Sequence, residues 1–317
     1  MKALVTGGCG FIGSHLSEYL FDKGYSVTVL DDLSTGRLEN ITKLEGRDGF
    51  RLIIGSILDK YLMEGMIGSV DVIFHLASAV GVRLILNEPV KTIQTIIEGT
   101  SIVLSEARKY GKKVLITSSS EVYGKGNGIP FSENDDTLLG PTKIGRWVYG
   151  AAKGIDEFLA FAHWYESKLP VICVRLFNTV GPRQTGQYGM VIPTFIQQSL
   201  KGEDITVYGD GEQTRSFCHV RDVVPALVDL MNCEDAVGKV VNIGSDEEVS
   251  INHLAERIKE LTGSTSQIIY IPYEKAYTEG FEDMMRRVPN IDLAKKLIGF
   301  NPKYSLDETL KFILDRY

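Results

Sequence analysis

A glycine-rich turn near the N-terminus limits how this chain can fold more than any other feature. The turn, residues 7–13 (GGCGFIG), lies between an apolar run, residues 2–6, and a stretch with apolar residues at helical spacing, residues 11–21. Glycine here allows a tight turn, close approach of the backbone to a pyrophosphate and close packing of the helix on the strand. The N–H groups at the start of the helix also attract anions. The turn therefore predicts a dinucleotide-binding unit.

An acidic residue follows the second predicted strand, residues 26–30. Asp31 occupies the position from which a carboxylate accepts hydrogen bonds from both hydroxyls of a cofactor ribose. Asp32 comes next, and no arginine follows immediately. The pattern therefore favours NAD over NADP as the cofactor.

Short apolar runs alternate with helical segments through the first half of the chain. This alternation predicts parallel strands joined by right-handed crossovers, and so an α/β fold with a doubly wound parallel (Rossmann) sheet. After residue 177 the strands shorten and Gly, Pro, Gln and Tyr become frequent. We predict an NAD-binding Rossmann domain over residues 1–177 and a smaller α/β substrate-binding portion over residues 178–317, interleaved with the first. The predicted strands after the second are residues 51–54, 70–75, 113–117 and 171–177, and the predicted long helices are residues 88–110 and 151–166.

Tyr149 and Lys153 stand four residues apart in a segment with helical spacing, which places both side chains on one helix face. An ammonium beside a phenol lowers the pKa of the phenol toward neutrality, so Tyr149 is the predicted base for a substrate hydroxyl. Lys153 is also predicted to reach the nicotinamide ribose. A run of serines, residues 118–120, ends a predicted strand, where a doubly wound sheet binds its ligand. A hydroxyl from this run is expected to share the substrate proton with Tyr149.

Three arginines of the second half, Arg183, Arg215 and Arg287, lie in uncharged or Gly/Pro-marked settings rather than on Lys/Glu-rich faces. Guanidinium groups match the oxygens of phosphates. These arginines therefore predict an anion site on a protein whose formal net charge is -7.

The composition indicates which binding partners and which cellular compartment to expect. The acidic balance argues against nucleic acid as the main partner. Four scattered cysteines show neither metal-ligand spacing nor a disulfide framework, so we expect no metal and a reduced compartment. The N-terminus does not resemble a signal peptide, and no stretch approaches the ~20 apolar residues of a membrane span. We therefore expect a cytoplasmic protein with no membrane partner.

The motifs together resemble the nucleotide-sugar epimerase/dehydratase family of extended short-chain dehydrogenases over essentially the full length. The resemblance implies NAD as cofactor and a UDP-sugar or other nucleotide-sugar as substrate, which makes residues 178–317 mainly a nucleotide-sugar-binding portion. It is carried by TGGCGFIGSHL, FHLAS, TSSSEVYG, YGAAK, RLFNTVGPR, TVYGDGEQTRSFCHVRDV and RRVPN.

The resemblance also implies roles for individual residues. Ser119 takes the position of the catalytic Ser/Thr beside the matching Tyr149 and Lys153, and Ser56 stands where the family usually has an Asp for the adenine amino group. The catalytic candidates are Tyr149, Lys153, Ser119, Glu121 and Ser120. The cofactor-binding candidates are Gly7, Gly10, Phe11, Ile12, Gly13, Asp31, Asp32, Ser34, Thr35, Gly36, Ser56, Ile57, Leu76, Ala77, Ser78, Tyr149, Lys153 and Pro182. The substrate-binding candidates are Arg83, Ser120, Glu121, Asn178, Arg183, Val191, Thr206, Val207, Tyr208, Arg215 and Arg287.

The triplet Ser119-Ser120-Glu121 bears on the reaction. The family's shared first step is oxidation of sugar C4, and a 4,6-dehydratase then needs an acid where this chain has Ser120. The Ser-Glu pair and Arg146-Trp147 are similar to UDP-glucuronate decarboxylases, which favours conversion of UDP-glucuronate to a UDP-pentose, with Glu121 positioning the ring or protonating the enolate. A 4-epimerase acting on a UDP-hexose or UDP-hexuronate stays open, as do dehydration, ring contraction and a non-catalytic NAD-binding protein.

Two predicted helices carry more apolar residues than one core-facing stripe needs. Excess apolar helix surface often marks a symmetric dimer, and members of the resembled family commonly dimerise through these helices. We therefore expect a homodimer. The residues concerned are Val90, Ile93, Ile97, Val103 and Leu104 in the first helix and Phe158, Leu159, Phe161 and Trp164 in the second.

Overall fold

A computed structural model describes residues 1–79, 88–126, 128–186, 190–276 and 284–317. Its main feature is a seven-stranded sheet in the order β11-β6-β5-β4-β1-β2-β3, in which every neighbouring pair is parallel. The predicted doubly wound sheet is therefore confirmed. Its strands are β1 (Lys2–Thr6), β2 (Ser26–Asp31), β3 (Phe50–Ile54), β4 (Val72–His75), β5 (Lys113–Ser119), β6 (Val171–Leu176) and β11 (Lys239–Ile243).

Smaller sheets and the helices complete the described part of the chain. The shorter strands are β7 (Thr179–Val180), β8 (Ile205–Tyr208), β9 (Thr214–Ser216), β10 (Cys218–His219), β12 (Glu248–Ser250), β13 (Ile268–Ile271) and β14 (Arg286–Arg287). The α-helices are α1 (Phe11–Asp22), α2 (Lys60–Gly68), α3 (Pro89–Tyr110), α4 (Val148–Ser167), α5 (Val191–Lys201), α6 (Val220–Asn232), α7 (Ile251–Thr262), α8 (Tyr273–Ala276), α9 (Asp292–Ile298) and α10 (Leu306–Leu314). Short 3-10 helices span Leu38–Leu44, Ser120–Tyr123, Gly145–Trp147 and Glu234–Ala236.

The main sheet is buried on both faces because successive side chains of a strand point to opposite sides. Along β1, Ala3 and Val5 pack into one core with helices α1 and α6, whereas Leu4 packs into another with α2, α3 and α4. Continuous apolar runs are the sequence signature of such strands. For this reason the strand predictions differ from the structure only near their ends, as at β4, which begins at Val72 rather than at residue 70.

The second half contributes both to this sheet and to a separate core. Strand β11 lies beyond the predicted boundary at residue 177, yet it pairs with β6 as the outermost strand of the main sheet. Helices α5, α7 and α10 enclose a third apolar core with strand β8. The carboxyl ends of β1, β2, β4 and β5 border a large cavity.

Some of the extra apolar residues of α3 and α4 are buried in the core, and others remain on the surface. Val103 and Leu104 are fully buried in the core, so the prediction that they add to an exposed surplus is wrong. Val90 and Ile93 of α3 and Phe158 of α4, which is 79% exposed, do remain on the surface. Within the described residues, none of the helices is long and apolar enough to cross a membrane.

Candidate active site

A cavity of about 1320 Å³ runs along the carboxyl ends of the strands. It begins at the glycine turn beside β1, passes the ends of β5 and β6 and reaches β8 in the second half. This volume is above the roughly 300–1,000 Å³ that is usual for a site that binds one small molecule. Its length along the sheet brings the predicted cofactor and substrate residues into one space.

The glycine turn is built as the sequence predicts. Gly7 has a left-handed backbone, with φ of 72°, a conformation that favours glycine. A Cβ atom on Gly13 would lie 2.1 Å from the carbonyl oxygen of Gly7, so any larger residue would push helix α1 away from the turn. No side chain of the described residues caps the first N–H groups of α1. These groups are therefore available to an anionic ligand at the helix N-terminus.

Asp31 ends β2 at the wall of the cavity. Its carboxylate accepts hydrogen bonds from the N–H of Cys9 at 2.9 Å and of Leu33 at 2.8 Å. Burial nevertheless raises the pKa of Asp31 above its ordinary value. Gly36 lies against this carboxylate, because a Cβ there would be 2.7 Å from Asp31 Oδ1. The backbone thus fixes the acidic residue where a cofactor ribose is expected.

Most other predicted cofactor residues line the cavity. Those that do are Gly7, Gly10, Phe11, Ile12, Gly13, Asp31, Asp32, Ser34, Thr35, Ile57, Leu76, Ala77, Ser78 and Tyr149. Ser56 does not, and its hydroxyl accepts the N–H of Leu58 at 3.2 Å. Pro182 is buried outside the lining, with its carbonyl oxygen 2.9 Å from His15 Nε2. Contacts of Ser56 and Pro182 with the cofactor stay predictions.

Ser119 and Tyr149 meet in the middle of the cavity. Ser119 is the last residue of β5, and Tyr149 lies in the first turn of α4. The Ser119 hydroxyl lies close enough to that of Tyr149 to lower the pKa of the phenol. The sequence predicted this pair, and its position lets two hydroxyls share one substrate proton.

Lys153 lies behind Tyr149 rather than in the cavity lining. Its side chain is 2% exposed, and its ammonium lies 2.7 Å from Oδ2 of the fully buried Asp156. Burial raises the pKa of Tyr149, Lys153 lowers it, and Glu121 and Asp156 raise it again, so that it lies above its ordinary value. The prediction that Lys153 brings this pKa toward neutrality is therefore wrong. The contact of Lys153 with a cofactor ribose stays a prediction.

Glu121 lies between two guanidinium groups. Nη1 of Arg146 donates to Oε2 of Glu121 at 2.5 Å, and Nη1 of Arg287 donates to Oε1. Burial would raise the pKa of Glu121, but the two arginines lower it to about 2. A carboxylate ionised at neutral pH does not supply a proton, so the predicted role of Glu121 in protonating an enolate does not agree with the structure. The predicted role in positioning the sugar ring stays a prediction.

The substrate-binding candidates are spread along the second half of the cavity. Arg287 also donates a hydrogen bond to Oδ1 of Asn178. This contact joins β14 to the segment that follows β6. Arg83 lies outside the described residues. Val207 is fully buried in the third core, because it points away from its cavity-lining neighbours in β8. The candidates that line the cavity are Ser120, Glu121, Asn178, Arg183, Val191, Thr206, Tyr208, Arg215 and Arg287.

Arg183 lies nearer the predicted cofactor end than the sequence suggested. Its Nη2 donates to Glu18 at 2.6 Å, and its Nη1 donates to Ser14 Oγ at 3.1 Å, both on helix α1. Its backbone has a φ of 76°, which is unusual for a residue with a Cβ. These contacts join the loop after β7 to the helix that follows the glycine turn.

Some cavity residues were not predicted as site residues. Arg146 lines the cavity, although the sequence indicates Arg146-Trp147 only as a likeness to decarboxylases. Asp156 lies behind the cavity, paired with Lys153, and the sequence analysis does not predict it. An acidic residue three positions after Lys153 on a helix was the available signal, since residues at that spacing are neighbours. The other lining residues of the second half that were not predicted include Met190, Phe195, Gln213, Tyr273 and Lys275.

The parallel sheet, the glycine turn and the Ser-Tyr-Lys group define an extended short-chain dehydrogenase. Residues 4–313 match the family model described as GDP-mannose 4,6 dehydratase. The chain belongs to this family, and it is an NAD-dependent enzyme.

Similar proteins include decarboxylases and an epimerase. The chain is 43% identical over 311 residues to a UDP-N-acetyl-alpha-D-glucosaminuronate decarboxylase of Bacillus cytotoxicus, covering 98% of this chain and 95% of the relative. It is 39% identical to UDP-glucuronic acid decarboxylase 1 of Xenopus tropicalis, covering 98% of this chain and 70% of the relative. The solved UDP-glucuronic acid 4-epimerase of Bacillus cereus, in complex with UDP-glucuronic acid and NAD, has a TM-score of 0.90 at 27% identity, covering 99% of this chain and 98% of that chain.

The residues of the first half fit NAD. The missing Cβ at Gly13 lets helix α1 pack against the glycine turn, which keeps the helix N-terminus where a pyrophosphate would bind, and Asp31 lies at the wall where the ribose of the adenosine half would lie. The glycine turn and α1 would hold the pyrophosphate, and the Ser119–Tyr149 pair lies farther along the same cavity. NAD supplies a hydride acceptor that can return the hydride later.

Proposed function

We propose that this enzyme decarboxylates a nucleotide-linked uronate through a 4-keto intermediate, with UDP-glucuronate giving a UDP-pentose as the first reaction to test. One observation carries the proposal: an ionised Glu121 held by Arg146 and Arg287 lies next to the Ser119–Tyr149 pair in one cavity. The names of the two decarboxylases that the chain resembles support the same chemistry.

The residues of the chain divide the work as follows. Tyr149 takes the proton of the C4 hydroxyl, with Ser119 hydrogen-bonded to the same group. Oxidation at C4, for which NAD would accept the hydride, turns the uronate into a β-keto acid, so the electrons of the C5–carboxyl bond pass to the C4 carbonyl as carbon dioxide leaves. C5 then takes a proton, and return of the hydride to C4 would give the pentose. Asn178 and Arg215 hold the diphosphate, since both line the second half of the cavity and an arginine pairs well with phosphate oxygens.

The product identifies the reaction. We expect purified enzyme with NAD to convert UDP-glucuronate or UDP-N-acetylglucosaminuronate to a product lighter by one carbon dioxide, detected by mass spectrometry, and to release no carbon dioxide with UDP-glucose. The two uronates differ at C2, so their relative rates report which sugar fits. A product of unchanged mass and new stereochemistry would contradict decarboxylation, and loss of water would contradict the inference from Ser120.

A second candidate is a 4-epimerase acting on a UDP-hexose or UDP-hexuronate. The likeness to the UDP-glucuronic acid 4-epimerase over nearly the whole chain favours it. The same Tyr149 chemistry serves both reactions, because an epimerase only has to return the hydride to the other face of the keto sugar. NMR of the product distinguishes the two.

We also propose a homodimer formed by α3 and α4. Two apolar groups at helical spacing remain exposed, Val90 and Ile93 on α3, and Ile155, Phe158 and Tyr165 on α4. A second copy of this chain would cover both exposed apolar groups.

The free cysteines of the described chain, three of them buried, support a reduced, cytoplasmic location.

Changing Phe158 to glutamate is expected to turn the dimer into a monomer, because a charge would be buried in an apolar interface. Size-exclusion chromatography with light scattering measures the mass. Tyr61→Glu is the matched control, since Tyr61 is 89% exposed and lies on α2, which is neither of the two proposed interface helices. A monomeric wild-type protein, or a Phe158→Glu variant that stays dimeric, would contradict the proposal.

A further inference from the structure

A buried carboxylate, that of Asp156, lies behind Tyr149 and takes no part in the chemistry proposed above. Asp156 follows Lys153 by three positions on helix α4, and it is fully buried. Its Oδ2 lies 2.7 Å from the ammonium of Lys153, which is also buried. Replacing such a buried pair by apolar side chains is often neutral or stabilising. Stability alone therefore does not account for the pair.

A chain of hydrogen bonds starts at the wall of the cavity and runs toward this carboxylate. The backbone N–H groups of Leu76 and Ala77, which line the cavity, both donate to the hydroxyl oxygen of Thr6 at 3.2 Å. The hydroxyl of Thr6 lies 2.8 Å from Nδ1 of His75, and Nε2 of His75 lies 3.2 Å from the hydroxyl of Thr100. The three side chains are buried, and they join strands β1 and β4 to helix α3.

The direction of these hydrogen bonds follows from their donors. The oxygen of Thr6 already accepts from two N–H groups, so its own hydrogen goes to Nδ1 of His75. Burial lowers the pKa of His75 to about 3, so the ring is neutral and carries its hydrogen on Nε2, which donates to Thr100. The hydrogen of the Thr100 hydroxyl is then left for another acceptor. Burial raises the pKa of Asp156, and the ammonium of Lys153 and the hydroxyl of Thr100 lie close enough to act against this rise.

The neighbouring carboxylate, that of Glu157, is already engaged elsewhere. Its two oxygens accept hydrogen bonds from Arg175 at 2.9 and 2.7 Å, and one of them also accepts the hydroxyl of Ser118 at 2.5 Å. Asp156 is therefore the carboxylate that pairs with Lys153. The titratable groups that face Lys153 or Tyr149 are His75 on β4, Cys173 on β6, Glu121 after β5, and Asp156 and Glu157 on α4.

We propose that Asp156 is a positioning residue for the general base, which holds the ammonium of Lys153 behind Tyr149. Thr100 and His75 hold Asp156 in turn. The inference rests on the proposed function in one respect, that Tyr149 takes a proton from the sugar, a step shared by decarboxylation and 4-epimerisation. Asp156 acts through Lys153, because its carboxylate contacts the ammonium, whereas Tyr149 is two turns of α4 away, about 10 Å along the helix axis.

The carboxylate decides whether the buried amine stays charged. Burial lowers the pKa of Lys153, and Asp156 raises it again. A buried lysine without an anion gives up its proton easily, with pKa values as low as about 5–6. Burial raises the pKa of Tyr149, and the charge of Lys153 lowers it. Without Asp156, the phenol of Tyr149 therefore loses the help of this charge when it ionises.

The test is a double-mutant cycle on the rate of NADH formation in the first oxidation of UDP-glucuronate. Asp156→Asn is expected to lower this rate about 10- to 100-fold, the usual size of the effect of a neighbouring charge on ionisation. Lys153→Met removes the ammonium itself, so Asp156→Asn in that background should change the rate less than about 3-fold. Thr100→Val leaves every charge in place, and it is expected to lower the rate by a smaller factor that also disappears in Lys153→Met.

Asp222→Asn is the matched control, because Asp222 is a buried carboxylate on helix α6 that accepts backbone N–H groups outside the cavity lining. It should leave the rate unchanged. Effects of Asp156→Asn and Lys153→Met that multiply in the double variant would overturn the inference, as would an unchanged rate in Asp156→Asn. Melting temperatures show which variants fold, and the cycle of Thr100→Val with Lys153→Met decides if Asp156→Asn does not.

NMR of the protein labelled at lysine Cε, without substrate, measures the charge of Lys153 independently of any reaction. The signal of Lys153 is identified by its absence in Lys153→Met, and it should lose its proton at a lower pH in Asp156→Asn than in the wild type. A signal that behaves identically in both proteins would contradict the inference. A wild type that forms no NADH, carbon dioxide or epimer would instead count against the proposed function, which the NMR measurement does not require.

Discussion

Replacing Tyr149 by phenylalanine is expected to lower kcat about 10²- to 10⁴-fold, the range typical of removing a general acid–base group. The variant loses a hydroxyl that lines the cavity beside Ser119. The ring itself stays, so the packing of helix α4 should not change. Single-turnover absorbance of NADH at the first oxidation step measures the effect directly.

The pH dependence of the same step provides an independent check. Because the pKa of Tyr149 lies above its ordinary value, the phenol is protonated at neutral pH and its basic form increases as pH rises. The wild-type rate of C4 oxidation should therefore rise with pH, and this rise should disappear in Tyr149→Phe. Tyr123→Phe is a control, because the hydroxyl of Tyr123 is buried against Asn242, outside the cavity lining. An unchanged rate in Tyr149→Phe would exclude Tyr149 as the base.

Local patterns were enough to predict six of the seven strands of the main sheet and most residues that line the first half of the cavity. Strand β1, the turn at residues 7–13 and Asp31 are close in sequence, and Gly13 is required by its contact with Gly7 in the same turn. A βαβ unit is closed by such short-range contacts, so its parts are visible in order along the chain. The predicted pair of Ser119 and Tyr149 also depends only on where β5 ends and α4 begins.

Long-range contacts determined what the sequence did not reveal. The pair between Arg146 and Glu121 joins positions 25 apart, and that between Arg287 and Glu121 joins positions 166 apart. Neither spacing has a pattern of its own. The pKa of Tyr149 was predicted in the wrong direction because the sequence shows a neighbouring lysine but not the burial of the phenol, nor Asp156 on the same ammonium.

Changing Glu121 to glutamine is expected to slow release of carbon dioxide about 100-fold or more while UDP-glucuronate binds at least as tightly, because the two guanidiniums lose their pairing with Glu121 and then hold the substrate carboxylate more tightly in the ground state. A fall in kcat together with a fall in KM is the signature of such overbinding. Carbon dioxide release and the dissociation constant of the substrate are the measurements.

The stability of Glu121→Gln must be measured as well as its activity, because Glu121 also contributes to the stability of the folded protein. Its pKa is depressed in the folded protein, so this contribution is present above its ordinary value of 4.5 and is lost as pH falls toward about 2. Glu121→Gln should therefore lower the melting temperature at neutral pH and bring the variant and the wild type closer together in acid. The control is Glu248→Gln, which removes a carboxylate bound to Arg286 at the surface, where a single ion pair contributes little. If Glu121→Gln released carbon dioxide at the wild-type rate, the ionised carboxylate between the two arginines would have no part in the chemistry, although the reaction itself would still be a decarboxylation.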